Sequence, residues 1–299
     1  MNFIEFVKTP RLIIFKIGIK GWIKFLDDKT YLKLMYWAKF GKKLNLDAPV
    51  TFNEKIQWLK LHNKKSQYTQ MVDKFEAKKY ALRILNEDIC VPTIAVFDSV
   101  DKIDKTKLPE KYVMKCTHDS HSVYVCNDST HFDFEKAKKN IAKGLRRNYY
   151  WTGREYPYKN VKPRIIIEEY LEDSCQPHLL DYKFYIFNGK FKLLSITERK
   201  SKHEVYIDFY DSEFNKVHMT WGYPGSGELR HKPVQYEKMI TIAETLAKDI
   251  PILRVDFYEV QGRAYLGEMT FFDGSGFDEI DPKEWDIQLG SWIKTNGLK

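Results

Sequence analysis

"PILRVDFYEVQGRAYLGEMTFF", residues 251–272, alternates apolar and polar side chains on either side of a glycine at 262. Period-two alternation about a turn glycine predicts a β-hairpin. Each arm carries one acid in a run that is otherwise apolar and aromatic: Asp256 on the first, Glu268 on the second. Strand interiors seldom hold a charge that is neither paired nor put to use. Arg254 and Asp256 share a face of the first arm, and Glu268 and Thr270 share a face of the second. Whether the two acids face the same way depends on the turn. A two-residue loop at Gln261-Gly262 points them to opposite faces, whereas a three-residue loop or a bulge sets them side by side. Side by side, their repulsion calls for a hard divalent cation such as Mg²⁺, which takes its remaining ligands from water and nucleotide phosphates. The alternative is a surface hairpin with two solvated acids, and the hairpin alone does not choose.

Outward from this hairpin the chain is mixed. Residues 1–90 read as mostly helical. In "TFNEKIQWLKLHN" (51–63), Thr51 and Glu54 have the spacing of a capping box. "YTQMVDKFEAKKYALRIL" (68–85) continues with helical periodicity. From Val91 the period shortens to two, in "VPTIAVFDSV" and "KYVMKCTHDSHSVYVC". Helices are expected over 132–150 and 234–250, with another closing the chain. Further strands are expected at 164–171, 181–198 (turning at Asn188-Gly189) and 204–210. Strands grouped in hairpins with helices between the groups predict an α+β fold with antiparallel sheets.

Composition narrows the function. Of 299 residues, 43% are hydrophobic and 15% aromatic, enough to build a core rather than a disordered chain. A net charge of +8 suits nucleic acid, an anionic membrane face or a phosphorylated or acidic substrate. No nucleic-acid-binding signature accompanies the charge, so nucleic acid is set aside. Cys90, Cys116, Cys126 and Cys175 form no C-x-x-C pair, and read as reduced thiols of a cytoplasmic protein, with Cys116 and Cys126 on paired strands of the core. No apolar run reaches the length of a membrane span. The start, "MNFIEFVKTPRLIIFKIGIKGWIKFLDD", interleaves apolar and basic residues. It reads first as a helix packed on the body, and second as an amphipathic helix lying on an anionic membrane face.

Weaker signals line up in order. Lys115 lies on a strand before a small polar loop, Thr117 to Ser122. "RIIIEEYLED" takes a buried strand into Glu168, Glu169 and Leu171, and Lys183 interrupts an apolar strand in "DYKFYIFNGK". Each has a plain reading as a solvated strand-end charge. No P-loop pattern, G-x-x-x-x-G-K-[ST], is present. Taken together, "TFNEKIQWLKL", "YVMKCTHDS", "NYYWTGREYPYKNVKPRIIIEEYLED", "DYKFYIFNGK", "ILRVDFY" and "GEMTFFDGSGF" resemble the TupA-like ATP-grasp family of polysaccharide and teichuronopeptide biosynthesis, over about residues 30–295.

The resemblance implies two lobes with antiparallel sheets enclosing ATP, a smaller one over about 110–165 and a larger one over about 166–299, preceded by the helical region. It makes Lys115 and Lys183 the phosphate contacts, with Ser120, His121 and Ser122 in a mobile loop above the phosphates. It makes Glu168, Glu169 and the backbone near Leu171 the adenine and ribose contacts. Asp256, Glu268 and Thr270 become Mg²⁺ ligands, and Arg254 and Lys183 act on the transferred phosphate. Thr270 departs from the family pattern, which has Asn there. The implied activity is an ATP- and Mg²⁺-dependent carboxylate–amine ligase that joins an amine to a uronic acid of a surface glycan. The alternative is a glycosyltransferase using the same site.

Overall fold

The computed structural model describes residues 9–120, 122–173, 178–201 and 203–295. Cys175 and His121 lie outside the described residues.

Five helices open the chain: α1 (Arg11–Ile19), α2 (Asp28–Phe40), α3 (Phe52–His62), α4 (Gln67–Val72) and α5 (Glu76–Leu85). Helix α3 starts in the expected capping box: Thr51 accepts from the Glu54 N–H, and the Glu54 side chain accepts from the Thr51 N–H. The helical stretch expected over 68–85 is divided into two helices. Asp73 is extended, ends α4, and accepts from the N–H groups of Phe75 at 2.9 Å and Glu76 at 3.3 Å. An Asp that can bond the backbone just ahead of it ends one helix and starts the next. Lys74 is left in the break.

A four-stranded sheet follows, built from β1 (Thr93–Phe97), β2 (Tyr112–Cys116), β3 (Val123–Cys126) and β4 (Ile165–Glu169) in the order β1-β4-β2-β3. All its pairings are antiparallel. Between β3 and β4 run α6 (Phe134–Leu145) and the short α7 (Tyr150–Gly153). Met114, Cys116, Ile165 and Ile167 cover one sheet face and pack on Phe134, Ala137 and Ile141 of α6. Each such buried Ile contributes roughly 1.5–3 kcal/mol. Cys116 and Cys126 are buried thiols on the paired strands β2 and β3, as expected. Val113, Lys115, Ile166 and Glu168 are left for the other face by strand alternation.

The larger sheet has six antiparallel strands: β5 (Asp181–Phe187), β6 (Lys190–Arg199), β7 (Val205–Asp211), β8 (Lys216–Val217), β10 (Ile252–Val260) and β11 (Arg263–Thr270). Their order is β11-β10-β5-β6-β7-β8. Its two tight turns fall at Asn188-Gly189 (φ 49° and 77°) and Gln261-Gly262 (φ 50° and 71°). Consecutive left-handed residues match the twist of the flanking strands, and Gly takes the second position at no steric cost. One face packs on α8 (Tyr236–Leu246), where the Phe184 and Tyr236 rings lie 5.7 Å apart. Strands β9 (Thr220–Trp221) and β12 (Ile280–Asp281) pair separately, ahead of α9 (Lys283–Trp292).

The helical region packs into this same core. Phe52 meets Trp221 edge-on at 4.9 Å, Tyr68 meets Phe271 at 4.2 Å, and the Leu266 N–H donates to Ile89 O at 2.7 Å. The result is the expected α+β architecture with two antiparallel sheets. Among the described residues, no helix is long and apolar enough to cross a membrane.

Candidate active site

The turn of the last hairpin is the two-residue loop, which in a regular ladder would set Asp256 and Glu268 on opposite faces. The ladder is not regular. Pairing runs evenly from Val260↔Arg263 to Phe257↔Leu266, then slips so that Asp256 lies opposite Glu268. Gly267 is the extra residue of a bulge, and the bulge restores the phase that the turn would lose. A Cβ there would sit 3.1 Å from the Tyr258 ring and 3.3 Å from Asp256 O, so the close approach uses the missing side chain.

Asp256 also lies opposite Lys183 of β5, so Glu268, Asp256 and Lys183 form one row across three strands. Arg254 sits among the acids. It grips Asp256 through Nε–Oδ1 and Nη2–Oδ2, both 2.7 Å, and donates to Glu268 Oε1 at 3.0 Å and to Asp273. The planar fork of arginine can hold three carboxylates where a lysine could not. Lys183 pairs with Asp181 and, at 3.2 Å, with Asp256. Asp273 also accepts from the Tyr185 hydroxyl at 2.5 Å. Burial pushes the Asp256 carboxyl up, to about 6, against the pull of Arg254 and Lys183. Burial pushes Glu268 the same way, but Lys74, Arg254, Lys183 and Lys115 outweigh it and hold the carboxyl at about 2. Glu268 is therefore a fixed anion, surrounded by four cations drawn from separate segments.

The smaller sheet supplies the opposite wall. Lys115 Nζ pairs with Glu168 at 2.7 Å, and Lys78 from α5 pairs with the same carboxylate. Burial raises the Glu168 carboxyl, and the two lysines more than reverse it. Glu169, next along the strand, faces the other way, exposed beside Ile94, Lys111 and Tyr170. Its backbone N–H donates to Pro92 O at 3.1 Å, and strand alternation turns its side chain away from the face of Lys115 and Glu168. Leu171 is the second residue beyond β4, half-buried.

The loop after Lys115 is pinned among its described residues. The Ser122 hydroxyl donates to Asp119 at 2.6 Å, Lys74 donates to Asp119 O at 2.6 Å, and buried His118 bridges to the carbonyls of Gly144 and Arg147 at 3.1 Å. Of the expected phosphate-loop residues, Ser120 is exposed, whereas Ser122 is buried and spends its hydroxyl within the loop.

The donors present fit a hard cation. Asp256 and Glu268 offer oxygens from adjacent strands, and Thr270, paired with Arg254, stands on the same face. Among the described residues no three His, Cys, Asp or Glu side chains converge as a metal cluster. Two carboxylates alone suit Mg²⁺, which retains waters and binds phosphates, better than an ion needing a full protein shell.

Lys74, Lys78, Asp273 and Tyr185 belong to this site, and the sequence reading passed over them. Lys74 was hidden inside a stretch of helical periodicity, and the signal for it was the Asp before it. Lys74 reaches Glu268 at 3.7 Å while holding the Asp119 carbonyl, so it ties the loop to the acid. With the expectation of an ATP site, replacing Lys74 with Met should raise the KM for ATP about tenfold, with kcat changed less, because the expected phosphate-side cation and a loop anchor would go together. Steady-state kinetics at varied ATP would read this out.

A family model described as TupA-like ATPgrasp matches residues 54–294. Among solved structures, the chain is similar to a D-alanine–D-alanine ligase from Bacillus anthracis, at 15% identity and a TM-score of 0.43, over 67% of this chain and 57% of that one. It is similar to an L-amino acid ligase from Bacillus licheniformis, at 13% identity and a TM-score of 0.46, over 84% and 57%. It is also similar to an N5-carboxyaminoimidazole ribonucleotide synthetase in its ADP complex, at 13% identity and a TM-score of 0.44, over 82% and 57%. The chain thus spans a little over half the length of these proteins. No curated protein sequence matches it.

Proposed function

The chain belongs to the TupA-like ATP-grasp family, and from that premise we propose that it is an ATP- and Mg²⁺-dependent ligase joining a carboxylate to an amine through an acyl phosphate. The observation that carries this reading is the convergence of Asp256, Glu268, Arg254 and Lys183 on one sheet face, with Lys115 on the wall of the other sheet. A triphosphate is the partner for which such spacing of fixed cations and a two-carboxylate metal site is suited.

In this reading Lys115 and Lys183 orient the phosphates, and Lys74 keeps the 117–122 loop over them. Mg²⁺, held by Asp256 and Glu268 with Thr270 beside them, would neutralise the oxygens of the transferred group. An oxygen of the substrate carboxylate attacks the γ-phosphorus, the bond to the bridging oxygen breaks, and ADP leaves. The amine nitrogen then attacks the acyl carbon, phosphate departs with the acyl oxygen, and the amine loses a proton to solvent. Arg254 faces the oxygens where charge develops. In this structure it bridges the two acids that would hold the metal, and Mg²⁺ binding would free the guanidinium to turn toward the γ-phosphate.

The acceptor in this proposal is a uronic acid of a surface glycan or its precursor, and the donor an amino acid or related amine. Incubation with ATP, Mg²⁺, hexuronides and amino acids should release ADP and phosphate in equal amounts, one of each per amide formed. Release of UDP or CMP from a nucleotide sugar, with no ADP, would instead support a glycosyltransferase.

We propose also that the enzyme works in the cytoplasm against an anionic membrane face. What supports this is the outer side of α1 and the turn after it. Trp22 is 69% and Phe25 80% exposed, Ile13 and Ile19 stand out beside them, and Lys16, Lys20 and Lys24 are interspersed. The inner side is packed: Gly18 lies against Met35, and Phe15 meets Phe277 at 5.4 Å. Exposed aromatics among lysines are the composition of an interfacial segment. Trp22→Ser with Phe25→Ser is expected to abolish cosedimentation with vesicles containing phosphatidylglycerol. Equal recovery on neutral phosphatidylcholine vesicles would count against it.

A further inference from the structure

The face of the larger sheet that carries the metal-site acids continues beyond them. Its central row runs Glu268, Asp256, Lys183, Ser195 and Phe209, one residue from each of five successive strands. The first three make the site described above. The last two floor a cavity of about 180 Å³ that Arg254, Lys183 and Asp273 close at the catalytic end. The far floor is Thr197 and Arg199, and the segment Trp221–Tyr223 forms the wall. We propose that this cavity is the acceptor subsite and takes one ring of a polyhydroxylated carboxylate, such as a hexuronide, with its carboxylate turned to Lys183 and Arg254; the assignment rests on the ligase reading.

Position comes first. Neighbouring strands lie about 4.8 Å apart, so a carboxylate above Lys183 is one strand from Asp256 and within reach of a phosphorus held there. Size comes second. At about 30 Å³ per water the cavity has room for about six waters, enough for one substituted ring. Polarity comes third. Thr197 is 7% exposed, and its buried hydroxyl has no hydrogen-bond partner among the described residues; the same holds for the Asp181 Oδ1 atom beside it. Unsatisfied buried oxygens on a cavity floor are costly unless a ligand completes them, and sugar hydroxyls both donate and accept. Arg199 makes no ion pair among the described residues, so its guanidinium is open to a further hydroxyl or anionic substituent. The wall suits a ring. Trp221 stacks on Tyr185 and on Phe209, at 5.2 and 6.3 Å, and is held buried in the wall. Tyr223 follows Gly222, whose φ is 76°, and is 49% exposed at the rim. An exposed aromatic at the rim of a polar-floored pocket offers the apolar face of a sugar something to stack on.

The test is binding of methyl glucuronide and methyl galacturonide by tryptophan fluorescence, with methyl glucoside and D-alanine as controls. Wild type, Thr197→Tyr and Tyr223→Ala would each be assayed, and each titrated separately with a non-hydrolysable ATP analogue and Mg²⁺. Thr197→Tyr fills the cavity; Tyr223→Ala trims a rim side chain and leaves the core intact. The proposal expects a uronide to bind wild type better than the neutral glucoside. It expects both variants to weaken that binding at least about tenfold, with analogue binding unchanged. Uronide binding unchanged in both variants, or D-alanine bound in place of the uronides, would overturn the subsite. Loss of analogue binding by wild type would overturn the ligase reading itself.

Discussion

Arg254→Met is expected to be both the least active and among the least stable single variants of this protein. The guanidinium holds Asp256 in a two-point grip and reaches Glu268 and Asp273 besides. Arg254 and Asp256 are both buried, at 9% and 3% exposure. Removing one partner of a buried ion pair leaves the other charged and poorly solvated, at a cost of about 3–5 kcal/mol. Loss of the cation proposed to turn to the transferred phosphate is expected to lower kcat by about 10²–10³. Urea unfolding and turnover of the variant would measure both. The carboxylates that Arg254 bridges are the ones proposed to hold Mg²⁺, so millimolar Mg²⁺ should return part of the lost stability to the variant and add less to wild type. A variant of unchanged midpoint and turnover would contradict the role given to Arg254.

Glu268→Gln should separate binding chemistry from folding. Glutamine keeps the shape and loses the charge; the four cations around Glu268 then lose an anion, but the side chain is 34% exposed, so stability should fall by less than in Arg254→Met. Activity should fall by at least about 10³, because one of two carboxylates that can ligate the metal is gone. Nucleotide affinity should also lose most of its dependence on Mg²⁺ while the metal-free affinity is retained or rises, since Lys74, Lys115, Lys183 and Arg254 keep their attraction for phosphate. Titration of an ATP analogue at zero and millimolar Mg²⁺ reads this directly. Undiminished Mg²⁺ dependence would remove Glu268 from the metal site.

The hairpin shows why some of this was legible in the sequence. Alternation over 251–272 gave both strands and their turn, and the rarity of a charge inside an apolar strand pointed at Asp256 and Glu268. Their relative facing could not be read, because it turns on one bulged residue, Gly267, and pattern alone does not distinguish a bulge glycine from any other. Lys115 and Lys183 were legible as cations in apolar strands. Lys74 and Lys78 were not, because a lysine on a helix is solvated far more often than not. Only the break at Asp73 turns Lys74 toward Glu268. Two adjacent acids invited a joint assignment of Glu168 and Glu169, yet strand alternation puts consecutive side chains on opposite faces, and only Glu168 meets Lys115. Asp273 follows the strand by three residues, in a stretch whose glycines read as a turn. Its place beside Arg254 and Tyr185 is a long-range consequence of packing on α3, where Gln57 and buried Lys60 bond the carbonyl of Ser275 at 3.1 and 2.7 Å.

A crystal structure with a non-hydrolysable ATP analogue and Mg²⁺ tests the central claim most directly. The account predicts Mg²⁺ between Asp256 and Glu268, the phosphates against Lys115 and Lys183, and the Arg254 guanidinium displaced from between the two carboxylates toward the γ-phosphate. Arg254 still bridging Asp256 and Glu268, with the nucleotide absent or bound elsewhere on the protein, would contradict it.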